Sequence, residues 1–98
     1  MEANNAMQAL CRSAATSYRG SLTPEALLAF MTTGVVDAAA GVLLRYAIEE
    51  LPAQLWAKAL AGYDSNLRAT MKQRIEQYAV THRLHLTSEM LTWLRDAP

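Results

Sequence analysis

The stretch VVDAAAGVLLRYAIEELP, residues 35–52, decides the fold. Nearly every side chain from Val35 to Glu50 is apolar or small, and a helix greasy over most of its circumference is one surrounded by other elements. The sequence therefore predicts a central helix here. Ala38, Ala39, Ala40 and Gly41 offer little bulk, so a neighbouring backbone can approach closely, while Val42, Leu43, Leu44 and Ile48 supply volume. Asp37, Gly41 and Arg45 make its most polar stripe, the edge expected to meet water. Asp37 and Arg45 also interrupt the run, which falls short of the ~20 apolar residues needed to cross a bilayer. Pro52 steers Leu51 away from helical geometry and suits a first helical turn, so one helix ends near Glu50 and another begins close to Pro52.

Towards the N-terminus, Thr23-Pro24-Glu25 is a helix start: a hydroxyl for the free amides, a ring with a preset φ, and a carboxylate at the positive end of the dipole. That helix carries Leu27, Leu28, Phe30 and Met31 and stops at Thr33-Gly34. Before it, Met7, Leu10, Cys11, Ala14 and Tyr18 share one face of a first helix, with Arg12 and Arg19 turned away and Gly20 as the stop.

Towards the C-terminus, Leu55, Trp56, Ala59 and Leu60 form the apolar face of a helix ending at Gly62. Asp64 or Ser65 then caps the clearest amphipathic segment, with Leu67, Met71, Ile75 and Tyr78 opposite Arg68, Lys72, Gln73 and Glu76. Residues 81–86 lack helical spacing and read as an extended link; Thr87-Ser88-Glu89 opens a last helix with Met90, Leu91, Trp93 and Leu94. The expectation is one all-α domain over residues 1–98, a compact irregular or orthogonal bundle of five to six short helices.

Composition narrows function. A chain of 98 residues buries about 60–65% of its unfolded surface, enough for one modest core. It is 52% hydrophobic and only 18% charged, so apolar surface should be left over for a partner. Residues 1–50 hold three basic and five acidic side chains, and residues 51–98 six and four; neither half has the uncompensated cations a nucleic-acid binder uses to displace counterions. The lone Cys11 precludes an internal disulfide and suits a reducing, cytoplasmic setting. Met1-Glu2-Ala3-Asn4-Asn5 has no basic patch followed by an apolar run, so no secretory signal is expected.

No motif points to catalysis. His82 and His85 are spaced for metal ligation only if that segment is helical, and no third ligand stands nearby in sequence; neither metal nor cofactor is expected. Glu49 and Glu50 point ~100° apart on a helix and read as a solvated helix end. The glycines have no phosphate-cradle spacing. A helix-turn-helix over 65–95 would present Ser88, Glu89, Met90, Leu91, Thr92, Trp93 and Leu94 to a groove, with almost no base-reading donors.

The segment Leu51-Pro52-x-x-Leu55 through Asp64-x-x-Leu67-Arg68-x-x-Met71-x-x-Arg74-Ile75 resembles the short helical repeats of flagellar motor-switch and magnesium-transporter regulatory domains. The likeness covers about a quarter of the chain and implies helical packing, without those families' functional motifs.

The residues therefore point to a non-catalytic, cytoplasmic protein-binding module: an adaptor, small chaperone or inhibitor that occludes a protein target. Met90, Trp93 and Leu94 are the expected exposed anchors, because aromatic and methionine side chains dominate interface energetics. Ala38–Gly41 with Leu44 is the expected face for a homodimer. Arg68, Lys72 and Arg74 are the expected contacts to phosphate or an acidic partner, which is also the basis of the alternative, a dimeric nucleic-acid-binding regulator.

Overall fold

Helix starts are written in the side chains. Each of four helices begins one residue after a Thr or Asp whose oxygen accepts a backbone N–H three residues on: Thr23 from Ala26 (3.1 Å), Asp37 from Ala40 (2.8 Å), Asp64 from Leu67 (2.9 Å) and Thr87 from Met90 (3.1 Å). The computed structural model describes residues 2–15 and 22–96, with the backbone path alone for 2–4. Among the described residues it has six helices and no strand: α1 (Glu2–Ala15), α2 (Pro24–Thr33), α3 (Ala38–Glu50), α4 (Ala53–Leu60), α5 (Ser65–Thr81) and α6 (Ser88–Arg95). The all-α bundle of short helices is thus what the sequence folds into. Tyr18, Arg19 and Gly20 lie outside the described residues.

Helix ends are equally legible. Gly34 closes α2 in the left-handed region (φ +82°) and donates its N–H to the Phe30 carbonyl at 2.7 Å. A side chain there would meet more than a backbone penalty, because the Arg74 guanidinium sits 2.8 Å from where a Cβ would stand. Pro52 opens α4 as expected. The α5 terminus holds a Schellman arrangement: Leu84 N–H reaches the Ala79 carbonyl (2.8 Å) and Arg83 N–H the Val80 carbonyl (3.3 Å). Arg83, not glycine, occupies its left-handed position (φ +55°).

α1 is the element on which α2, α3 and α4 converge. Its buried face, Met7, Leu10, Cys11 and Ala14, packs chiefly against α4 and also against α3 and α2. α5 lies on α2, and α6 rests on α4 and α5. α2 and α3 turn through 83° at their junction, the orthogonal corner that the Gly34 stop and Asp37 cap together create. No single described helix is long and apolar enough to cross a membrane. Trp56 is fully buried in α4 and donates its indole N–H to the Ala47 carbonyl of α3 at 2.9 Å, so one side chain both fills the core and ties two helices.

Two expectations for the central segment are corrected. The helix begins at Ala38 rather than Val35, because the Asp37 carboxylate takes up a free amide of the first turn and leaves Val35 and Val36 in the preceding loop. α3 is also not enclosed on most sides. It buries Ala40, Leu43, Leu44, Ala47 and Ile48, while Ala38, Ala39, Val42 and Arg45 face solvent.

Candidate protein-binding surface

The anchors expected at the C-terminus are largely inside. Met90 and Leu94 are buried and Trp93 is partly covered, because α6 turns its i, i+4 apolar pair down onto α4 and α5. The Trp93 ring lies 6.5 Å from that of Trp56 at 31°, and the Lys72 ammonium sits 5.1 Å over its centroid. Met90 and Leu94 are therefore core residues, and Trp93 seals the edge of that core.

The three cations expected to act together are separated in role. Lys72 is 7% exposed; its Nζ donates to the Asp96 carbonyl at 3.4 Å, and its stem lies between α5 and α6. Periodicity placed Lys72 on the solvent face of α5, but α6 covers that face. Arg68 donates to the Tyr63 carbonyl in the turn before its own helix. Arg74 alone lines an open recess. Leu44, expected on a dimer face, is fully buried.

A continuous groove runs instead along the α2–α3 corner and the C-terminal half of α5. One recess, about 280 Å³, has Phe30 as its floor and Arg74, Gln77, Tyr78, Thr81 and His82 as its sides. A second, about 450 Å³, shares Gly34, Tyr78 and His82 with it and continues over Val35, Asp37 and Ala38. A third, about 240 Å³, extends from Arg74 and Gln77 to Thr70 and Gln73. Tyr78 is the pivot. Its ring meets Phe30 edge-on at 5.2 Å and stacks with the His82 ring at 4.1 Å, while its hydroxyl points toward Gly41. Burial pushes the Tyr78 phenol up, partly opposed by the Arg45 charge, so the hydroxyl stays a neutral donor at pH 7.

On and beside this groove lie two of the three large hydrophobic side chains that are exposed among the described residues. Val35 is 70% exposed and Val42 57%, and Ala38 and Ala39 between them are exposed too. Ala38 and Val42 are four residues apart and stack on one helix face, with the exposed Arg45 one turn further on. Val80, also exposed, sits apart on α5 and does not line the groove.

Sequence reasoning missed one polar tie. Glu49 is not a free helix end: it pairs with Arg45 (3.2 Å) and accepts the His85 backbone N–H (2.9 Å), pinning the 84–87 link to α3. That backbone donor, with Arg45 assisting, holds its carboxyl below the usual range against the opposing effect of burial. No sequence signal marks it, since the partner is a main-chain group 36 positions away.

The remaining chemistry is quiet. Burial, with the Glu25 charge adding to it, pushes the Cys11 thiol up to about 11, which leaves on the order of one part in ten thousand as thiolate at pH 7. His82 stacks on Tyr78, and no three metal-ligating side chains converge among the described residues. A further recess of about 300 Å³ lies beside Cys11, Leu22 and Pro24. No family model, curated protein or solved structure matches the chain.

Proposed function

We propose that this chain is a non-catalytic protein-binding module that works by occlusion, and that its docking surface is the α2–α3 corner with the adjoining groove. The observation that carries this is the exposed run Val35, Ala38, Ala39 and Val42 beside a recess with an aromatic floor. Leaving two valines largely in water in so small a chain forgoes roughly 1 kcal/mol or more of burial each, which a partner recovers. The small residues Ala38 and Ala39 admit a close helical neighbour at the start of α3, and Arg45 and the groove supply the polar rim that fixes register. The reducing setting suited to Cys11 fits a cytoplasmic target. A phosphate-tracking surface has less support, since Lys72 and Arg68 are engaged internally and only Arg74 opens to a recess.

Affinity capture from the native host tests the assignment. The double variant Val35→Gln/Val42→Gln keeps both positions neutral and the helix intact, and should lose at least tenfold of whatever polypeptide the wild type retains, with Val80→Gln retaining it. Equal retention by all three proteins would overturn the surface.

A further inference from the structure

The recess around Arg74 has a chemistry of its own. Its polar sides are a guanidinium, an amide, a phenol, a hydroxyl and an imidazole, all able to donate, and no carboxylate lines it. The same holds for the extension past Thr70 and Gln73. Arg74 makes no hydrogen bond or ion pair among the described residues, although it is partly buried and rests over the Gly34 backbone. There it faces the C-terminal end of α2, which has no basic residue in its own last turn. The dipole thus accounts for where the guanidinium lies. It leaves the planar fork without the two-oxygen partner for which guanidinium geometry is suited. The nearest acid lining the groove, Asp37, belongs to the adjoining recess and has an oxygen committed to the Ala40 amide.

We infer that the Arg74 recess is a binding site for a single carboxylate, with Gln77 and Thr81 as supporting donors and Phe30 beneath the attached carbon chain. Charge selects carboxylate over phosphate: one guanidinium neutralises one negative charge, whereas dianionic phosphate groups are met by clusters of arginines. Shape favours a side chain over a cofactor, because the recess is an open compartment of a longer groove rather than a pocket that engulfs a whole small molecule. The occupant is accordingly an Asp or Glu side chain, or a terminal carboxylate, of the polypeptide that covers Val35 and Val42. That source of the carboxylate rests on the docking reading; the chemistry of the recess does not.

Sodium acetate, titrated into the full-length protein at constant ionic strength and followed by amide and arginine N–H NMR shifts, tests the site directly. A lone head group should bind only on the order of millimolar, shifting Gly34, Gln77, Tyr78 and the Arg74 side chain saturably. Arg74→Gln should weaken this at least tenfold. Arg74→Lys, which keeps the charge but loses the fork, should weaken it severalfold while retaining the folded spectrum. Unchanged acetate binding in both variants, or shifts spread equally around Arg12, Lys58 and Arg83, would overturn the site. Phosphate binding tenfold tighter than acetate would overturn the choice of carboxylate. Acetate binding alongside unaltered capture by Val35→Gln/Val42→Gln supports the site and defeats the docking reading; absent acetate binding defeats the site whatever the capture shows.

Discussion

Replacing Trp93 by alanine separates the two roles its sequence position allows. The ring is partly covered, stacked near Trp56 and capped by the Lys72 ammonium. A tryptophan buries about 150–250 Å², so losing somewhat over half of that costs ~2–3 kcal/mol at roughly 25 cal/mol per Å². The aromatic pair adds ~0.5–1.5 kcal/mol and the ammonium over the ring ~0.5–1 kcal/mol. These terms overlap, and relaxation of α6 recovers part of them, so the expected cost is about 2–4 kcal/mol. A domain of this size has a total stability of about 5–15 kcal/mol, so the loss is large without abolishing folding. The melting temperature should fall by about 10–25 °C. Urea unfolding followed by circular dichroism measures it, since the substitution removes one of the two tryptophan fluorophores. Partner capture, scored on the fraction that remains folded, should be unchanged. A variant as stable as the wild type that no longer captures a partner would refute the reasoning and return the interface to α6.

Two smaller perturbations follow from the termini and the link. Arg83→Gly should stabilise the protein by ~1 kcal/mol, because the left-handed position closing α5 penalises any side chain and the Arg83 head is exposed; thermal melting reads the gain. Glu49 has a carboxyl held below 4.5, so its contribution is complete above that pH and disappears as pH falls through the lower folded value. Glu49→Gln should flatten only that part of the acid-unfolding profile, by under ~1 kcal/mol, since its partner Arg45 is largely exposed.

Most helix boundaries were legible because local chemistry sets them: Thr23, Asp64 and Thr87 cap through atoms three residues away, and Gly34 and Pro52 act on their own backbone, whereas the Asp37 cap reads in sequence as part of a polar helix stripe. The faces were harder. Periodicity identified Met71 and Ile75 as buried but assigned Lys72 to water, since nothing in α5 indicates that α6 folds over its second face. The same contact hid Met90 and Leu94. A uniformly greasy stretch such as Val35–Ile48 has too little contrast to show which side the bundle leaves open, so Val42 looked like core and is not. Of the candidate site, Arg74 and the small residues Ala38 to Gly41 were visible in sequence. Their meeting with Tyr78 and His82 depends on the 83° angle between α2 and α3; Gly34 and Asp37 mark the break in the sequence but not its angle.

The most direct test of the docking surface is a photo-crosslinking side chain placed at Ala39 and, separately, at Val80, in cells of the native host. A covalent adduct of one defined additional mass is expected from position 39 and none from position 80. Adducts from position 80 alone, or none from position 39 in a protein shown to be folded, would contradict that surface.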